Sequence, residues 1–117
     1  SGTTGLPKGV MLTHRNLVAN LIQCDVSVPI GEDEVVIAVL PFFHIYGLTV
    51  LMNQGLAWGG AVVTLPRFDL EDFLRTIQDH KITRAYLVPP IILTIAPILL
   101  GAAIGNGPLL TAIRCCQ

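Results

Sequence analysis

Residues 34–41 read Glu34-Val35-Val36-Ile37-Ala38-Val39-Leu40-Pro41, and this stretch decides the fold. A run of apolar, largely β-branched residues closed by a proline predicts a strand over residues 34–40 that is apolar on both faces. Such a strand belongs inside a sheet covered on both sides, the usual setting of parallel strands. Toward the carboxyl terminus, residues 45–58 have the length and apolar density of a buried helix stopped by Gly59-Gly60. Residues 61–65 predict a second strand. Asp69 then caps an amphipathic helix with Leu70, Phe73, Leu74 and Ile77 on its core face and Asp72 in its first turn. Residues 82–88 predict a third strand, and Pro89-Pro90 open the helix after it. Toward the amino terminus, Val10-Met11-Leu12 is expected to end a strand. Thr13 is the expected N-cap of an amphipathic helix through Leu17, Val18, Leu21 and Ile22.

Strand and helix alternating in this way predict an α/β fold: a layered, mainly parallel sheet with helices on both faces. The chain shows no repeat, low-complexity tract or dividing linker, so residues 1–117 are expected to belong to one domain. At 117 residues, 52% hydrophobic and 13% charged, the composition is far from that of a disordered chain. The mean hydropathy of +0.68 is high for a body with so much surface, which is the expectation for an interior portion of a larger domain.

A formal net charge of −1, with no cluster of lysine and arginine, gives no field for a nucleic acid, and no nucleic-acid partner is expected. The amino-terminal residues lack a secretory layout. Cys24, Cys115 and Cys116 have no disulfide or zinc spacing and read as reduced, packing cysteines, with a redox role for the vicinal pair as the alternative. A cytoplasmic location is the expectation from that reading, with a peroxisomal one as the alternative in a eukaryote. Residues 85–104 form a twenty-residue stretch without a charged side chain. Pro89, Pro90 and Pro97 argue for a buried strand and a proline-started helix there, so no transmembrane segment is expected.

Two groups of residues carry chemistry. Ser1-Gly2-Thr3-Thr4-Gly5-Leu6-Pro7-Lys8-Gly9 places glycines, hydroxyls and a lysine in one loop. Glycines let backbone N–H groups approach a polyanion, and hydroxyls and an ammonium add donors and charge, so the loop is suited to phosphate. The spacing is not that of a Walker loop, because Lys8 follows Gly5 by three positions and is itself followed by Gly9. The second group is Pro41-Phe42-Phe43-His44-Ile45-Tyr46-Gly47, at the predicted junction of strand and helix. Ligands of open α/β sheets bind outside the carboxyl ends of the strands, where this junction falls. Taken alone, His44 reads as a hydrogen-bonded core histidine, and His14 as a residue of a helix start.

The opening loop resembles the phosphate-binding signature of adenylate-forming enzymes, the superfamily of acyl-CoA synthetases, luciferases and peptide-synthetase adenylation domains. The aromatic group is similar to the motif that in these enzymes borders the carboxylate substrate. Together the two resemble the 4-coumarate:CoA ligase and luciferase-like branch, and Phe68-Asp69, Tyr86-Leu87-Val88-Pro89-Pro90 and Ile113-Arg114 also look like that branch. Residues 97–108 depart from the family's more polar pattern. The resemblance implies an internal fragment of the N-terminal domain of an enzyme in which a carboxylic acid attacks the α-phosphorus of ATP, forming an acyl-adenylate as pyrophosphate leaves, and the acyl group then passes to the thiol of coenzyme A as AMP is released.

It further implies roles. Ser1, Gly2, Thr3, Thr4, Gly5 and Lys8 would hold the ATP phosphates, with Lys8 adding charge as pyrophosphate leaves. His44 would border the acyl and phosphate region, and Tyr46 and Gly47 the acid. The parts that the family uses for Mg2+, the ribose and the mobile lysine are not among these residues, and none of them is expected to ligate metal. The resemblance therefore implies that the 117 residues by themselves are inactive. A fatty acyl-CoA synthetase, or a non-catalytic phosphate-binding module that would need only the loop, is the alternative.

Overall fold

The computed structural model describes residues 9–104. At its centre β1 (Val35–Ala38) runs parallel to β2 (Ala61–Thr64) on one side and β3 (Arg84–Ala85) on the other, in the order β2-β1-β3. Val36 lies opposite Val62 in one ladder and Arg84 in the other, and Ile37 lies opposite Val63 and Ala85. Successive side chains of a strand point to opposite faces. Here both faces are covered. Ile37 and Val39 pack with Phe73, Ile77, Ile91 and Ile95, while Val36 and Ala38 pack with Ile30, Leu51 and Tyr86. Burying side chains such as Ile37 and Phe73 stabilises by about 1.5–3 kcal/mol each.

The two faces correspond to two crossovers. Between β1 and β2 the chain forms one continuous helix whose middle, Gly47–Asn53, is π-helical and whose end, α2 (Gln54–Ala57), is α-helical. Leu51 of this helix enters the face with Val36. Between β2 and β3 runs α3 (Leu70–Asp79), whose Phe73 and Ile77 enter the face with Ile37. Asp69 caps α3 as expected, its Oδ1 accepting the N–H groups of Glu71 at 3.0 Å and Asp72 at 3.1 Å. Gly59 ends the preceding helical stretch with φ at +87°, a conformation closed to most side chains.

Two outer helices complete the structure. In α1 (His14–Ser27) Thr13 and Asn16 form a reciprocal cap: Thr13 Oγ1 accepts the Asn16 N–H and Asn16 Oδ1 accepts that of Thr13. The helix forms where its pattern predicts, but Leu17 and Leu21 are only half-buried and Val18 and Ile22 are 54% exposed. α4 (Pro89–Ile104) begins at the proline pair and contains Pro97. Among the described residues no helix is long and apolar enough to cross a membrane.

Three expectations change in detail. Val10, Met11 and Leu12 form no strand and are exposed. A strand needs a partner, and no described strand lies beside them. The third strand shrinks to Arg84 and Ala85, although Ile82, Tyr86 and Leu87 around it are buried. Residues 45–57 are helical, but a π segment replaces the regular α turns in the middle of the helix.

Candidate functional site

The carboxyl end of β1 leads within a few residues into a turn that places His44. The His44 N–H donates to the Pro41 carbonyl at 3.1 Å, and the His44 carbonyl accepts the Leu48 N–H at 2.9 Å, so the residue is held by backbone on both sides. Its ring is oriented as well. Nδ1 accepts the Tyr46 N–H at 3.2 Å, which in the neutral imidazole puts the proton on Nε2. The side chain is exposed, so this Nε2–H is a donor facing outward. The reading of His44 as a core histidine is thereby set aside.

Gly47 makes the turn possible. It is buried, and a Cβ built on it would lie 2.2 Å from the Pro41 carbonyl oxygen and 2.8 Å from its carbon. Its place is under the turn.

Two hollows flank His44 along the chain. On one side, Phe42 and Phe43 line a cleft of about 390 Å³ at the carboxyl ends of β1 and β2, with Leu40, Pro41, Thr64 and Leu65. Phe43 is 95% exposed. On the other side, Tyr46 lines a second cavity of about 240 Å³ between α1 and the helix of residues 45–57, here the wall helix, with Val50, Gln54, Tyr86, Cys24 and Val28 among its neighbours. Tyr46 is half-buried and packs against the cluster of Val36, Leu51 and Tyr86. The turn thus joins an aromatic-rimmed cleft to an apolar cavity, with a hydrogen-bond donor between them in sequence.

The loop residues Ser1, Gly2, Thr3, Thr4, Gly5 and Lys8 lie outside the described residues. So do Cys115 and Cys116. His14 is exposed at the start of α1, where the cap belongs to Thr13. Among the described residues no three His, Cys, Asp or Glu side chains gather where a metal ion could be held.

Several residues at or near the site carry no sequence signal of their own. Gln54 is 2% exposed and its Nε2 donates to the Val28 carbonyl at 3.1 Å, across the gap between the wall helix and the end of α1. Cys24 reaches the same cavity from α1. Tyr86 forms part of the cavity wall, and its hydroxyl accepts from Arg84 Nη1 at 3.4 Å. Arg84 is 4% exposed and donates from Nη2 to Glu34 Oε1 at 2.5 Å. Burial lowers the pKa of this guanidinium, but its bonds to Glu34 and Tyr86 outweigh burial and leave it above the ordinary arginine value. Glu34 and Arg84 sit at the amino ends of their strands, away from the His44 turn, and serve the sheet. An arginine inside an otherwise apolar strand, with a glutamate just before the neighbouring strand, is the signal that points to this pair.

The whole chain bears the same relationship as its parts. Residues 1–112 match the family described as AMP-binding enzyme. Over 100 residues the chain is 49% identical to 4-coumarate–CoA ligase 1 of Arabidopsis thaliana, a match covering 82% of this chain and 18% of that enzyme. The chain therefore spans less than a fifth of the length of that curated relative. Among solved structures, o-succinylbenzoate coenzyme A synthetase from Bacillus subtilis in complex with ATP and magnesium ion has a TM-score of 0.73 at 34% identity, over 81% of this chain and 20% of the other. In complex with the acyl-adenylate intermediate OSB-AMP, that synthetase gives a TM-score of 0.74 at 33% identity, over 83% of this chain and 25% of the other. With both the sequence match and the parallel sheet covered on two faces in agreement, the chain belongs to the AMP-binding family of adenylate-forming enzymes.

Proposed function

We propose that this chain is part of the N-terminal domain of an ATP-dependent carboxylate:CoA ligase, and that all of residues 1–117 lie within that one domain. The observation that carries the reading is the His44 turn beyond the carboxyl end of β1, with its ring held through Nδ1 and the residue exposed two positions before Tyr46 of the cavity. ATP supplies the adenylyl group: a carboxylate oxygen bonds to the α-phosphorus as the bond to pyrophosphate breaks. Coenzyme A supplies the thiol that then takes the acyl group and releases AMP.

The residues of this chain divide the work. His44 donates from Nε2 to an oxygen of the carboxylate or phosphate, stabilising charge as the two anions approach. Because the ring is oriented by a backbone N–H, this donor needs little rearrangement. Tyr46 and Val50 hold the apolar body of the acid in the 240 Å³ cavity and exclude water from it. Lys8 and the hydroxyls of Ser1, Thr3 and Thr4 hold the β- and γ-phosphates, and Lys8 carries most weight as charge moves onto pyrophosphate. Mg2+ neutralises charge on the same phosphates. The walls of the cavity, apolar with aromatic rings from Tyr46 and Tyr86, fit an acid with an aromatic or other compact apolar body.

ATP–pyrophosphate exchange by the full-length protein, run across aromatic and straight-chain acids, tests the reading. Acid-dependent exchange that falls on His44→Ala while the melting temperature holds is the expected result. A folded protein that exchanges with none of the acids refutes it.

A further inference from the structure

The wall of the acid cavity has an unusual backbone. Tyr46, Val50 and Gln54 all line it, four residues apart. In an α-helix a four-residue step overshoots a full turn by about 40°, so three such residues would fan away from one another. The wider turn of a π-helix removes that overshoot and keeps them in one row. The π segment, Gly47–Asn53, covers this part of the helix, and the Gln54 N–H closes it with a bond to the Thr49 carbonyl five residues back. π turns are rare and short, and they persist where surrounding contacts hold them.

Contacts of two kinds hold this one. Gly47 lies hard under the Pro41 carbonyl at its start, and just beyond its end a Cβ on Gly55 would lie 2.6 Å from Val62 Cγ2. The remaining tie is the buried side chain of Gln54, which donates to the Val28 carbonyl across 26 residues of chain. Val28 caps the end of α1 and itself lines the cavity. The Gln54 amide therefore joins the two walls at the point where π spacing returns to α spacing.

We propose that Gln54 is a positioning residue for the acid: its bond to Val28 holds the π segment in register, so that Tyr46 and Val50 face the bound acyl group. Without the bond the helix is free to take α spacing, which rotates this row off the cavity. Lys8, Ser1, Thr3 and Thr4, proposed to hold the ATP phosphates, are not part of this helix, so ATP binding is expected to be largely kept. This inference rests on the ligase reading above.

The test uses the full-length protein and Gln54→Met, which keeps the length of the side chain and removes the donor. The readouts are exchange kinetics, KM for acid and for ATP, and the melting temperature. The acid KM is expected to rise about tenfold with the ATP KM unchanged within about twofold, as loss of an interaction that serves one substrate requires. Should Gln54→Met unfold below the assay temperature, Gln54→Asn, one methylene short of the 3.1 Å bond, is expected to raise the acid KM in the same selective way. An unchanged acid KM, or a parallel loss in acid KM, ATP KM and melting temperature, overturns the proposal. Wild-type protein without any exchange overturns the ligase reading itself, whereas wild-type exchange matched in full by both variants overturns this inference alone.

Discussion

Gly47→Ala is the smallest change that attacks the His44 turn. The added methyl carbon would stand 2.2 Å from the Pro41 carbonyl oxygen and 3.2 Å from that of Leu40. Carbon and carbonyl oxygen come no closer than about 3.3 Å in ordinary contacts, so roughly 1 Å must be found. Neither side gives easily. The atoms met are backbone, the proline ring fixes φ at Pro41, and the Pro41 oxygen already accepts the His44 N–H. Overpacking of this kind costs about 1–3 kcal/mol, and breaking the His44 bond adds about 1 kcal/mol. We expect Gly47→Ala to lose about 2–4 kcal/mol in urea unfolding of the full-length protein, and acid-dependent exchange to fall further than stability alone explains because the imidazole is displaced. Gly31→Ala is the control, since a Cβ there meets nothing within 4 Å, and it should stay within about 0.5 kcal/mol of wild type. Gly47→Ala with wild-type stability and exchange would refute the packing argument and the role of the turn together.

Other outcomes follow from single contacts. Glu34→Ala leaves the nearly buried Arg84 guanidinium without its carboxylate, and we expect a loss of about 3 kcal/mol in urea unfolding, much of it recovered when Arg84→Met is added. Equal stability of the single and double variants counts against a buried pair. Cys24 lines the cavity, so its alkylation by a small maleimide, followed by peptide mapping, should slow several-fold when an acid that supports exchange is bound; protection absent at saturating acid places the acid elsewhere. Asp69→Ala removes the side-chain oxygen that accepts two N–H groups at the start of α3 and should cost about 1 kcal/mol, while Asp69→Ser should restore most of it.

The fold was legible wherever burial leaves a local pattern. The strand at 35–38 is apolar on both faces because both faces are covered, and α3 reads as amphipathic because Phe73 and Ile77 alone go fully inside. Asp69 and Thr13 announce their helices by the side-chain oxygens that satisfy free N–H groups. Val18 and Ile22 of α1 and residues 10–12 read correctly as apolar but are exposed, since nothing among the described residues covers them. The π segment was not legible. Its hydrogen-bond spacing is set by tertiary contacts of Gly47 with Pro41, Gly55 with Val62 and Gln54 with Val28, and no local periodicity encodes them. The cavity was hidden for the same reason, being assembled from α1, the wall helix and the residue after β3.

On the proposed reading, the site separates holding the His44 donor from choosing the acid. His44 is fixed almost wholly by backbone: the Pro41 carbonyl, the Leu48 N–H and the Tyr46 N–H on its ring. Substitutions of neighbouring side chains leave those three bonds in place, so long as the glycine at 47 is kept. The cavity is the reverse. Its walls include the side chains of Tyr46, Val50, Gln54 and Tyr86, and Val50 and Tyr86 make none of the three bonds of the turn. On that reading, an exchange of Val50 or Tyr86 for a side chain of another size is expected to alter which acid fits while the His44 turn stays in position. A fold that builds its donor from backbone and its pocket from side chains can accept many acids with one chemistry, because the two properties are carried by different atoms.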